Sequence, residues 1–209
     1  MIAVLGLLLQ LGQAHQPTHP RWTSLHDVRL GGSVDDILAK GGECRPGDAV
    51  GPLGSGMSVY SFAQMSFGYA LPHPHQPSDS VAIRRALSVA TLCWAPLDSN
   101  ARALAAAVDR RLVAIIVYFL RDSVPLPPDS VRAFAYAAWG RPMHHSPTLD
   151  TWSSPHYRSY FLVPYVPPSR GPVPPWVRTP QLIMLDIAAC TAFDARAHRS
   201  GIRGEAGEC

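Results

Sequence analysis

The stretch SNARALAAAVDRRLVAIIVYFL, Ser99 to Leu120, holds the longest uninterrupted apolar run downstream of the N-terminus, and its reading decides the fold. Leu104, Ala107, Val108, Arg111, Leu112, Ile115, Ile116 and Phe119 recur at steps of three and four, the spacing that gathers side chains on one helix face. That spacing predicts a helix over Ser99–Leu120. A second reading competes with it. LVAIIVYFL is apolar on every side and AIIVYF is rich in β-branched residues, so a shorter helix ending near Arg111 could lead into a buried strand. The run from Leu112 to Leu120 falls well short of the roughly 20 residues a membrane-spanning helix needs, and no transmembrane anchor is expected.

Working outward, Ser80–Leu92 (SVAIRRALSVATL) reads as a helix ending at Cys93, and Asp129 caps a further one, DSVRAFAYAAW, stopped by Gly140 and Pro142. Ser33 caps a short helix, SVDDILAK, with Asp35 and Asp36 in its first turn and Gly41–Gly42 at its end. The polar residues 15–33 before it read as an extended arm. Residues 51–71, with Val59, Tyr60, Phe62, Met65, Phe67 and Tyr69, suggest a strand or hairpin. From Arg141 to Pro180 frequent prolines predict irregular or polyproline structure, with Tyr157–Val166 as an edge strand because Pro164 tolerates only that place. QLIMLDIAAC reads as a buried strand leading into Cys190, followed by an Arg-rich loop from Thr191 to Cys209.

The 209 residues, 47% apolar and 16% charged, suffice for one sizeable core. Twenty-one prolines exclude a helical bundle or solenoid and predict a loop-rich chain. The expected class is α+β: a small, proline-rich mixed helix/sheet single domain with two disulfides. A net charge of +3 with scattered arginines argues against nucleic acid as partner. Residues 1–14, MIAVLGLLLQLGQA, resemble a secretory signal, with small Gly12 and Ala14 where a signal peptidase cuts, which leaves 15–209 as the mature domain and 141–180 as its proline-rich segment. In that compartment Cys44, Cys93, Cys190 and Cys209 are expected to form two disulfides. Three pairings are open; the nearest-neighbour one, Cys44–Cys93 with Cys190–Cys209, closes the shortest loops. The sole asparagine, Asn100, begins no glycosylation sequon.

Chemistry is hard to place. GPLGSGMS around Ser55 has neither the spacing of a nucleophile elbow nor that of a phosphate loop. His73, His75 and the pair His144–His145 do not put two ligands on one helix face, and no Cys-x-x-Cys is present, so neither metal nor cofactor is expected. Asp35, Asp36, Asp98 and Asp129 stand at helix starts, where capping accounts for them, and no catalytic residues are assigned. The apolar and aromatic content instead suggests a surface that meets a partner, with Val34, Ile37, Leu38, Trp139, Trp152, Tyr160 and Phe161 as candidate contacts. The alternative is that these aromatics pack an irregular domain internally.

Three local stretches, VDDILAKGGEC ending at Cys44, Cys93 followed by Pro96-Leu97-Asp98 and the later FLRDSVPLP, and ACTAFDARAHR with Cys209 beyond it, together resemble glycoprotein L of the alphaherpesviruses. The resemblance implies a secreted, anchorless, non-enzymatic viral envelope protein. Its partner would be glycoprotein H, which it binds and chaperones as a heterodimer. That complex would lie on the virion envelope and the outer face of the host cell, peripheral to the membrane through its partner, and regulate fusion by glycoprotein B. It implies the pairing of first with second and third with fourth cysteine. A secreted disulfide-stabilised binding protein of non-viral origin is the alternative, with a small hydrolase using His and Ser behind it.

Overall fold

A computed structural model describes residues 20–47, 88, 90–121, 124–163 and 179–199. Its centre is a hairpin. Ala101–Val108 (β5) and Arg111–Arg121 (β6) pair antiparallel, joined by Asp109 and Arg110 with φ of 50° and 62°. Two residues with positive φ between paired strands form the tight turn whose twist suits a hairpin. The helix expected over Ser99–Leu120 is therefore replaced by two strands, and only the buried-strand half of the competing reading holds. The physical reason lies in a bulge. Ala106 faces Ala114 while Ala107 faces Leu112, so Val113 is an extra residue that shifts the alternation by one. Leu112 and Ile115 thus reach the same face at a helix-like interval, with Val117 and Phe119 following.

Around this hairpin lies an antiparallel sheet with the order β3-β4-β5-β6-β11-β10-β9-β8. Its other strands are Glu43–Pro46 (β3), Ala90–Pro96 (β4), His144–His145 (β8), Leu149–Ser153 (β9), Tyr157–Leu162 (β10) and Gln181–Asp186 (β11). Val124–Pro125 (β7) pairs with the end of β6. The chain meanders from β3 to β6, crosses one face as the helix Pro128–Trp139 (α2), and returns strand by strand from the far edge to the centre. Small Ser24–Leu25 (β1) and Val28–Arg29 (β2) form a separate hairpin over the same face, preceded by a 3-10 turn at Arg21–Thr23. The arm expected over 15–33 is thus folded where it is described.

That face holds the main core: Leu25, Val28, Leu30, Val34 and Ile37 from the N-terminal elements, and Val131, Ala135 and Trp139 from α2. They meet Ala101, Ala103, Ala105, Ala107, Leu112, Ile115, Val117 and Phe119. The row of alanines on β5 lets the covering elements approach closely, and the larger residues of β6 fill the layer. The opposite face is buried too, through Leu92, Leu104, Ile116, Tyr118, Ile183 and Leu185.

The short helix Val34–Leu38 (α1) starts as its sequence predicts. Ser33 Oγ accepts from the Asp35 N–H at 3.1 Å and the Ser33 N–H donates to Asp36 Oδ2 at 2.9 Å, a complete capping box. An Arg110–Asp35 ion pair of 2.6 Å links it to the β5–β6 turn, and that hydrogen bond holds the Asp35 carboxyl below its ordinary range. Cys44 of β3 lies directly opposite Cys93 of β4 and the two form a disulfide.

Other expectations change. Ala90–Leu92, expected to close a helix from Ser80, belong to β4. Asp98 caps no helix: its carboxylate accepts from the N–H groups of Asn100 and Ala101 at 2.6 and 2.8 Å, closing the β4–β5 turn. Asp129 lies in the first turn of α2, not at its cap; Pro127 is the cap residue and Pro128 opens the helix with the fixed φ that suits that place. The stop at Gly140, with φ of 83°, is as expected. Arg141–Pro180 is not mainly irregular, since β8, β9 and β10 lie in it. β10 is an inner strand, because it ends at Leu162 before Pro164 would have to donate. The strand expected to reach Cys190 ends at Asp186, whose carboxylate accepts from the Ala189 N–H at 3.0 Å and starts the helix Ile187–Arg199 (α3) where a loop was expected. Residues 1–14, the hairpin expected over 51–71, Ser55, His73, His75 and the Cys190–Cys209 pairing lie outside what is described. Among the described residues no helix is long and apolar enough to cross a membrane.

Gly42 follows α1 at a point where a Cβ would stand 2.6 Å from both Ile37 O and Trp94 O, two backbone atoms that cannot give way cheaply. Gly42→Ala is expected to cost about 2 kcal/mol and lower the melting temperature by roughly 4–8 °C, measured by circular dichroism. Burial pushes the Tyr157 phenol above its ordinary value, reinforced by the Asp186 charge and opposed by Arg111. The folded state therefore holds this proton more tightly than the unfolded state. Stability is unaffected below about pH 10 and falls as pH rises past it. Tyr157→Phe should flatten that alkaline decline in melting temperature.

Candidate functional site

The described residues converge on chemistry where α2 crosses the strands β8 and β9. Asp150 sits at an inward position of β9, two residues from Trp152, and its side chain is 0% exposed. A carboxylate buried so completely needs partners for its lone pairs. Arg132 Nε and Tyr136 Oη, one helical turn apart on α2, both donate to Oδ2 at 3.0 Å. His145 Nδ1 lies 2.5 Å from Oδ1. Arg132 also donates to the carbonyls of Ser146 and Pro147 at 3.0 and 2.5 Å, and its guanidinium lies over the Phe161 ring, 4.7 Å from the centroid.

A carboxylate only accepts, so Nδ1 of His145 carries the hydrogen of this contact. The His145 side chain is 60% exposed and lines a cleft of about 390 Å³ with Arg132, Tyr136, Arg141, Pro142 and Met143. Burial raises the Tyr136 phenol above its ordinary range, with the hydrogen bond to Asp150 acting the same way, so the group remains a donor. The arrangement amounts to an imidazole oriented by a buried carboxylate, at the mouth of a cleft carrying two guanidinium groups. Among the described residues no serine, threonine or cysteine bonds to His145; the hydroxyl beside it is that of Tyr136, 3.2 Å from Nδ1. Nor do three His, Cys, Asp or Glu side chains among them converge as metal ligands.

A second cleft, of about 660 Å³, opens between β1–β2 and α2 and carries charges of both signs, among them Arg21, Asp27, Arg29 and Asp36. Arg21 is a structural part of it, since its Nε donates to the Trp139 carbonyl at 2.9 Å near the end of α2.

Of the candidate partner contacts, Val34, Ile37, Trp139, Trp152 and Phe161 are buried in the chain's own core. Trp139 Nε1 donates to Ser24 O at 3.0 Å, Trp152 Nε1 to Gly140 O at 3.1 Å, and the two rings meet edge to face with centroids 5.1 Å apart. In this conformation these five side chains pack internally, which for Trp139, Trp152 and Phe161 is the alternative open to the aromatics. Leu38, 45% exposed, and half-buried Tyr160 remain accessible. Asp150, Arg132 and Tyr136 were not singled out from the sequence. The available signal was the alternation in LDTWS, which puts an acidic residue on the same side as a tryptophan. Compared with protein-family models, curated proteins and solved structures, the chain matches none of them.

Removing Asp150 deprives three donors at once and leaves Arg132, 17% exposed, without its buried counter-charge. Asp150→Ala is expected to cost about 3–5 kcal/mol, and Tyr136→Phe about 1 kcal/mol. Chemical denaturation of both variants and of the double variant should show the Tyr136 effect vanish once Asp150 is gone; full additivity would mean that the two groups do not interact.

Proposed function

We propose that this chain is a non-enzymatic envelope subunit, similar to herpesvirus glycoprotein L, that binds and chaperones glycoprotein H and through that complex regulates membrane fusion by glycoprotein B. In this reading it passes through the secretory pathway and reaches the virion envelope and the cell surface, held peripherally by its partner. One observation carries the proposal. The three stretches behind the resemblance, far apart in sequence, adjoin a single sheet: VDDILAKGGEC as α1 and β3 against β4, the segment after Cys93 as β4 running to the β5 turn with FLRDSVPLP ending β6, and ACTAFDARAHR in α3, the helix that follows directly on β11. The Cys44–Cys93 disulfide joins the first two and agrees with the pairing the resemblance implies.

The test is secretion of the full chain from mammalian cells, alone and together with a herpesvirus glycoprotein H ectodomain. Co-secretion as a stoichiometric pair is expected. Monodisperse secretion of the chain with no association would overturn the proposal and favour an independent secreted binding protein. The disulfide closes a span of 49 residues, a constraint worth about 4 kcal/mol in a chain-entropy account. Cys44→Ser and Cys93→Ser should each abolish capture of the partner, read by pull-down of the secreted pair.

A further inference from the structure

Donors outnumber acceptors in the cleft of about 390 Å³ between α2 and β8. Arg132, Tyr136, Arg141 and His145 line it together with the apolar Pro142 and Met143, and among the described residues no acidic side chain does. Asp150, the carboxylate behind the wall, is fully buried and already engaged by Arg132, Tyr136 and His145.

The donors left over are specific. Arg132 gives Nε to Asp150 and Nη2 to the carbonyls of Ser146 and Pro147, but its Nη1 meets only Asp129, at 3.7 Å, beyond hydrogen-bond reach. The Asp129 side chain is 96% exposed, so an ion in the cleft can compete with it. Arg141 follows the turn at Gly140, is exposed, and takes part in no ion pair or hydrogen bond among the described residues. Its charge nonetheless acts on the same point as that of Arg132. Burial raises the Tyr136 phenol, and both guanidinium charges oppose that rise, which places the two within electrostatic reach of one oxygen. His145 adds the outer nitrogen of its ring, across from the Nδ1 that Asp150 holds.

That donor set selects the ligand. The two guanidinium groups belong to α2 and the residue just beyond it, and the imidazole to β8, so the donors come from different elements. A planar carboxylate pairs with one such fork, whereas a tetrahedral phosphate presents oxygens in several directions. A phosphate monoester near neutral pH also carries between one and two negative charges, so one hydrogen can bridge a phosphate oxygen and His145 Nε2 whichever of them holds it. Pro142 and Met143, whose sulfur accepts from the Ser153 hydroxyl at 3.4 Å, give an apolar wall for the carbon side of the ester.

We propose that this cleft is a binding site for a phosphate monoester, whose phosphate is held by Arg141, Arg132 Nη1 and His145. Asp150 is the positioning residue that orients His145 and Arg132. The ester binds and leaves unchanged, and the site does not depend on pairing with glycoprotein H.

The experiment is a calorimetric titration of the full chain with phenyl phosphate, alongside inorganic phosphate and acetate, at constant ionic strength. Saturable one-to-one binding of phenyl phosphate is expected, with a dissociation constant of about 1 mM or below. Inorganic phosphate should bind more weakly for want of the apolar contact, and acetate more weakly still. Arg141→Gln and His145→Gln should each weaken phenyl phosphate about tenfold, the loss of one charge-assisted hydrogen bond, while His144→Gln, which does not line the cleft, leaves it unchanged. Arg141→Gln touches an exposed side chain, should melt like wild type, and keeps the test valid if His145→Gln disturbs the fold. A phosphotyrosine peptide that binds more tightly than phenyl phosphate upholds the site with a peptide as the source of the ester; equal affinity upholds it with a small molecule. No saturable binding, equal affinity in wild type and Arg141→Gln, or acetate binding as tightly as phenyl phosphate overturns the proposal.

Discussion

Strand β6 has to be covered on both faces, and the rest of the molecule answers to that requirement. Its side chains from Leu112 to Phe119 are buried without a break, and residues of that size each contribute about 1.5–3 kcal/mol on leaving water. An eleven-residue strand with two apolar faces is insoluble as an edge and unstable as an isolated hairpin. It is therefore placed at the centre of the sheet, with β5 on one side and β11 on the other. The order of the chain follows. After β6 it must leave the sheet, cover one face with α2, and come back by way of the outer strands so that β11, nearly as apolar, fills the remaining inner place.

That return path creates a second constraint. α2 amid proline-rich connections has one apolar stripe, Val131, Ala135 and Trp139, and such a stripe alone lets a helix slide or rotate on a sheet. The Asp150 network removes that freedom. Arg132 and Tyr136 lie on the flank of the stripe and converge on one oxygen of a β9 residue, while Arg132 also holds the carbonyls of the β8–β9 turn. A buried charge pair of this kind adds little net stability over an apolar contact, but its geometry admits one register. The same carboxylate has a third partner, His145, so the group that fixes the helix also fixes an exposed imidazole. A structural lock and a chemically presented side chain thus share one residue.

Signals in the sequence are legible where their cause is local. The N-cap at Ser33, the helix stop at Gly140 and the apolar run of QLIMLD depend on neighbours within a few residues, and the structure has them. The β5–β6 hairpin carries a helical signal for a reason equally physical. Burial on both faces erases the alternation that marks a strand, and the bulge at Val113 restores an interval of three between Leu112 and Ile115, which imitates a helix. Asp109-Arg110 is not a glycine-containing pair, so the turn gave no warning either. Proline density misled in the same way for β8–β10, since prolines fall between these short strands and not inside them. The site was illegible because its four members come from α2, β8 and β9, and nothing but the fold brings an arginine, a tyrosine and a histidine to Asp150.

The edges of the sheet show how the remaining constraints are met. β3 and β8 stand at the two ends of the described sheet, and open edges invite pairing with other chains. Both are short. β8 has two residues, and its neighbour positions carry Pro142 and Pro147, which donate no hydrogen bond. β3 ends at Pro46 and is held by a covalent bond to β4 in place of a long ladder, so the disulfide does for one edge what the Asp150–His145 contact does for the other. Each edge strand is thereby tied by a side-chain link to the strand or helix behind it. Among the described residues, the sheet ends therefore present side chains held in place by these links, His145 among them.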